Sequence, residues 1–134
     1  MIKDGYLIVA TGVEKYLALA RNAARSLRHF DRKRGIALLC DREIKSMLEN
    51  GKEPFDYIHE LPTDLGLIGT EIHLYLNQYT PFEKTIYVDS DCLASRSGLD
   101  SFWEDLKNYS VTFPGRKLQS GFWRKVIEQL NSDF

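Results

Sequence analysis

Apolar residues along this chain switch between two periods. Gly5–Thr11 (GYLIVAT) is an almost continuous apolar run closed by Gly12, the pattern of a strand buried on both faces. From Lys15 to Phe30 the apolar positions Tyr16, Ala20, Ala23, Leu27 and Phe30 recur at intervals of four and three, which predicts one face of a helix. Gly35–Cys40 (GIALLC) is a second buried strand, followed by a short helix over Arg42–Glu49 that Asn50-Gly51 stops. Phe55–Leu61 reads as a third strand. A loop through Gly66 and Gly69 leads to a helix at about Thr70–Tyr79, ended by Thr80-Pro81. Lys84–Val88 (KTIYV) is a fourth strand. Beyond it the pattern predicts a helix over Leu99–Lys107, a short strand over Tyr109–Phe113 and a last helix over Gly121–Leu130.

Alternating strand and helix predicts an α/β fold: a Rossmann-like, mostly parallel sheet with helices on both faces. Ligands of such sheets bind outside the carboxyl ends of the strands, where strand order reverses. Two segments fall there. One is Ala10-Thr11-Gly12, after the first strand; the other is Asp89-Ser90-Asp91, after the fourth. If the chain stays extended there, Asp89 and Asp91 project to one side. Two carboxylates so placed can share one hard divalent cation, with a diphosphate and water completing its shell. The spacing alone is weak, because Asp41-Arg42-Glu43 has it too and a helix start explains that pair. The apolar strand directly ahead of Asp89 is what raises it above a plain turn or cap.

Composition adds limits. The chain has 134 residues, one domain's length, with 43% hydrophobic and 28% charged residues. Eighteen basic against nineteen acidic groups leave no global field directed at nucleic acid. The middle, residues 41–105, is acidic, with fourteen acidic and five basic groups. Cys40 and Cys92 have no metal-ligand spacing and are expected to be buried thiols in a reducing compartment. Glu14 and Lys15 interrupt the first apolar region, which argues against a signal peptide, and no apolar run reaches transmembrane length. A cytoplasmic location is the expectation. Arg21, Arg25, Arg28 and Arg32 form a basic stripe on the first helix, either a solvated face or a peripheral contact to an anionic surface. His29, His59 and His73 are scattered, and Trp103 and Trp123 are expected to pack.

The order LIVATGVEKYLALARNAARSL, then PFEKTIYVDSDCLAS, resembles the N-terminal half of GT-A-fold nucleotide-sugar glycosyltransferases, nearest to the glycogenin-like family 8 enzymes. The resemblance spans about residues 5–105. It implies that Ala10, Thr11, Gly12 and Tyr16 lie on the nucleotide side and that Ser90 approaches the ribose. It also implies that Asp89 and Asp91 hold Mn2+ or Mg2+ on the diphosphate. The expected ligand is a nucleotide-diphosphate sugar, most simply a UDP-sugar, transferred to a glycan, lipid or protein acceptor. Tyr16 also lies on the apolar stripe, so core packing is its alternative. Relatives usually carry a lysine about where this chain has Glu71 or His73, and the chain is expected to be the nucleotide-binding portion of a longer domain. No catalytic base is assigned. Two other functions are compatible with the same residues. One is a non-catalytic nucleotide-binding module. The other is a haloacid-dehalogenase-like phosphatase with Asp89 as nucleophile, which lacks its downstream acidic motif here.

Overall fold

A computed structural model of the chain describes residues 2–63 and 69–108. The strand expected over Tyr109–Phe113, the helix over Gly121–Leu130, Gly66 and Trp123 lie outside the described residues. Residues Met1–Trp103 make one compact unit, and the sheet belongs to it.

Four strands, β1 (Ile2–Ala10), β2 (Gly35–Cys40), β3 (Tyr57–Glu60) and β4 (Phe82–Val88), form one sheet in the order β3-β2-β1-β4. Every pairing is parallel, so the fold is α/β and Rossmann-like, as the sequence pattern predicts. The chain moves outward from β1 to β2 to β3, then crosses back to place β4 on the other side of β1. Strand order therefore reverses at the β1–β4 pair. Ile8 lies opposite Val88, and Ala10 lies opposite Cys40 on the other flank. The segments after Ala10 and after Val88 thus leave the same edge of the sheet from adjacent strands.

Helix α1 (Glu14–Phe30) covers the face that carries Tyr6, Ile8, Ile36, Leu38 and Cys40. It buries Leu17, Ala20, Ala23, Ala24 and Leu27. Three alanines let helix and sheet approach closely, and each buried leucine contributes about 1.5–3 kcal/mol. Tyr16 is not in this set. It is 46% exposed while Leu17 is fully buried, so the predicted stripe is corrected by one position at its start. Tyr16 and Leu17 are neighbours on the helix, and the aliphatic side chain takes the core site.

The opposite face carries Leu7, Ala37, Leu39 and Phe82, joined by Ile72 and flanked by Val9, Tyr57, Leu76 and Tyr79. The segment predicted as one helix over Thr70–Tyr79 is a 3-10 helix (Gly69–Tyr75) running into a single α turn, α3 (Leu76–Tyr79). Its apolar residues Ile72, Leu76 and Tyr79 still face the sheet, while Leu74 is 78% exposed. At the amino edge the ring of Phe82 lies over the backbones of Gly5 and Gly35, which are partners in the β1–β2 register. A Cβ on Gly5 would stand 2.3 Å from that ring, and one on Gly35 2.7 Å. Tyr57 closes the slot edge-on, its ring centroid 5.7 Å from that of Phe82.

Helix α2 (Arg42–Ser46) is shorter than the predicted Arg42–Glu49, and β3 is shorter than Phe55–Leu61. Helix α4 (Asp100–Asp105) brings Trp103 into the unit, packed edge-on against Tyr6 at 5.3 Å between ring centroids. Among the described residues no helix is long and apolar enough to cross a membrane.

Candidate functional site

The β1–α1 connection is a tight turn. The Val13 N–H donates to the Thr11 carbonyl at 3.2 Å, and Gly12 between them has φ +86°. That is left-handed backbone, which glycine adopts without a Cβ penalty. The Gly12 N–H points away from its own turn and donates to Asp41 Oδ2 at 2.5 Å. The other oxygen of Asp41 accepts from the Ile44 N–H at 2.9 Å, capping α2. The helix-start explanation of Asp41 is therefore right but incomplete. The same carboxylate fastens the turn after β1 to the end of β2, a link that sequence spacing cannot reveal.

Across the order reversal, β4 ends at Val88 and the chain turns at once. The Cys92 N–H donates to the Asp89 carbonyl at 3.0 Å, which makes Asp89-Ser90-Asp91-Cys92 a β-turn. This corrects the extended geometry expected for the acidic pair: Asp89 and Asp91 lie in a turn, and not on an extended strand. Both are exposed, and Ser90 between them is half-buried. Asp89 Oδ1 accepts from the Tyr87 hydroxyl at 2.6 Å, and that hydroxyl lies 2.7 Å from His73 Nε2. Burial, then the bond to Asp89 and the charges of Asp89 and Asp91, push the Tyr87 hydroxyl well above its ordinary pKa. The sequence pattern pairs neither residue with Asp89. Tyr87 stands two residues before Asp89, a signal visible in the sequence, whereas the approach of His73 depends on the fold.

Cys92, expected to be buried, is exposed as the last residue of this turn; Cys40 is buried as expected. Residual burial and the charges of Asp91 and Asp89 raise the Cys92 thiol pKa, so it is no activated nucleophile. Burial raises Cys40 to about 11.

Thr11 is half-buried, Gly12 and Tyr16 are exposed, and Ala10 is buried at the end of β1. The candidate site so defined has the Gly12 turn after β1 on one side and the acidic turn after β4 on the other, both at the carboxyl edge. Among the described residues no three His, Cys, Asp or Glu side chains converge as a ready-made metal cage. The donor set still suits a hard cation that takes its remaining oxygens from a diphosphate and water. No protein-family model matches the chain, and no curated protein matches it in sequence.

The arginine stripe has partners that the sequence could not assign. Arg21 forms a two-pronged ion pair with Glu53, through Nε at 2.9 Å and Nη2 at 2.6 Å. Arg28 pairs with Asp56 and donates to the Arg34 carbonyl at 3.0 Å. Two of the four arginines thus hold the β2–β3 connection against α1, while Arg25 and Arg32 remain exposed. At the opposite, amino edge lies a separate polar network. Asp31 accepts from Tyr6 at 2.8 Å, from Arg34 at 2.7 Å and from the Lys33 N–H at 3.0 Å. Trp103 Nε1 donates to the Tyr6 hydroxyl at 3.0 Å.

Proposed function

We propose that this chain is a metal-dependent glycosyltransferase of the GT-A type, or the donor-binding part of one, that takes a nucleotide-diphosphate sugar. The observation that carries the proposal is topological. The Gly12 turn and the Asp89–Asp91 turn leave one edge of the sheet from adjacent parallel strands, where strand order reverses. A single ligand can therefore touch both. The resemblance to glycogenin-like enzymes supports a UDP-sugar as that ligand.

Each residue then has a role that follows from its place. Thr11 and the Gly12 turn offer backbone to the nucleotide, and exposed Tyr16 offers a ring face for the base. Ser90 lies between the two acids, toward the ribose. Asp89 and Asp91 hold Mn2+ or Mg2+, since carboxylate oxygens match a hard cation. When bound, the cation supplies Lewis-acid stabilisation to the departing diphosphate. Fixing the nucleotide at one strand end and the acids at the next orients the anomeric carbon without moving the sheet. The carboxyl of Asp41, by holding the Gly12 turn, keeps the nucleotide side in place.

The test is calorimetry of UDP binding with and without Mn2+, together with a transfer assay. Mn2+-dependent binding that Asp89→Asn or Asp91→Asn abolishes, in variants that stay folded, supports the metal role. Unchanged binding in both variants rejects it. Binding without transfer assigns the chain as a donor-binding module.

A further inference from the structure

We infer that Tyr87 and His73 are positioning residues for Asp89, a hydrogen-bonded tether that occupies one carboxylate oxygen and leaves the other to the cation. The inference rests on the metal role proposed above and concerns how the protein prepares that site. The geometry is short at both links: Tyr87 hydroxyl to Asp89 Oδ1 at 2.6 Å, and His73 Nε2 to the same hydroxyl at 2.7 Å. The rings of His73 and Tyr87 also meet edge-on, with centroids 5.0 Å apart.

Counting hydrogens fixes the direction of the relay. An ionised carboxylate only accepts, so the single Tyr87 hydrogen goes to Asp89. The Nε2 of His73 must then donate to the tyrosine oxygen, which sets the Nε2–H tautomer when the ring is neutral. Asp89 is exposed just past the end of β4, where a free carboxylate samples several rotamers. Tethering it removes that freedom before the cation arrives, so less entropy is lost on binding. Carboxylates that ligate metals are commonly held by such outer hydrogen bonds. His73 comes from the 3-10 helix in the connection between β3 and β4, so the tether also ties that segment to the site.

The experiment titrates the full chain with MnCl2 and UDP by calorimetry, comparing the natural protein with Tyr87→Phe, His73→Ala and His73→Gln. Tyr87→Phe keeps the ring and removes the hydroxyl. Its Mn2+-dependent UDP affinity is expected to fall about 10- to 100-fold. His73→Ala gives a smaller loss, and His73→Gln, whose amide can donate to Tyr87, recovers part of it. The histidine pair keeps the test open should Tyr87→Phe fold poorly by thermal melting. If the natural protein binds no UDP with Mn2+, the metal role fails and the tether with it. If it binds and Tyr87→Phe binds equally well, or His73→Ala matches the natural protein, the tether alone is overturned.

Discussion

The Gly12 N–H and the Asp41 carboxylate, twenty-nine positions apart, meet at 2.5 Å and join the turn after β1 to the cap of α2. One side chain thus satisfies two backbone donors from different segments of the chain. Asp41→Ala should lose both bonds and destabilise the protein by about 1–3 kcal/mol. Glu43→Ala, two residues on and exposed, should change stability by less than about 0.5 kcal/mol. Urea unfolding of the two variants checks this, and equal midpoints would show that Asp41 does no more than an ordinary surface acid.

Tyr16 and Leu17 differ sharply in burial, at 46% and 0% exposure. Leu17→Ala should cost about 2–5 kcal/mol through the cavity that it leaves. Tyr16→Ala should leave the melting temperature nearly unchanged and, on the proposed function, weaken UDP binding. A large stability loss in Tyr16→Ala would place its ring in the core after all.

The slot above Gly5 and Gly35 is filled by the Phe82 ring, so a methyl group at Gly5 has no room. Gly5→Ala should destabilise by about 1–3 kcal/mol. In a Phe82→Ala background the same change should cost far less, because the ring that it strikes is gone. A double-mutant cycle by chemical denaturation measures that coupling, and additivity within about 0.5 kcal/mol would refute it.

Asp31 carries the expected pH dependence. Burial alone would raise its pKa, but the bonds from Arg34, Tyr6 and the Lys33 N–H outweigh burial and hold it below the ordinary 3.8. A lowered folded pKa contributes stability that is fully present above the unfolded value and is lost as pH falls through the folded one. Stability should therefore drop as pH falls below about 4, and Asp31→Asn should flatten that part of the curve. The variant should also cost about 3 kcal/mol at neutral pH, since it breaks a buried pair from one side. Acid titrations followed by circular dichroism would register both effects.

Much of the sheet was legible because its strands are buried runs. Gly5–Thr11 and Gly35–Cys40 announce themselves with little polar interruption, and the alternation of strand and helix makes the parallel order the natural one. Three features were hidden for identifiable reasons. A spacing of three and four serves a 3-10 turn as well as an α-helix, so Ile72, Leu76 and Tyr79 could not say which they belong to. Tyrosine counts as apolar in a periodic pattern yet yields the core to an adjacent leucine, as at Tyr16 and Leu17. Charge partners such as Glu53 for Arg21 lie thirty-two residues away and are created by the fold. At the site, the sequence located the Asp89–Asp91 segment at a strand end, but the turn that shapes it and the tyrosine and histidine beside Asp89 needed three dimensions.

The glycine slot also sets a length. Phe82 is the first residue of β4 and Asp89 directly follows its last. With the ring seated over Gly5 and Gly35, β4 cannot slide along β1, because a one-residue slip would turn Phe82 to the other face. Such a slip would shift Asp89 by about 3.3 Å relative to Thr11, more than the length of a metal–oxygen bond. The aromatic at one edge of the sheet therefore acts as a ruler for the other, measuring out how far the acidic turn stands from the Gly12 turn.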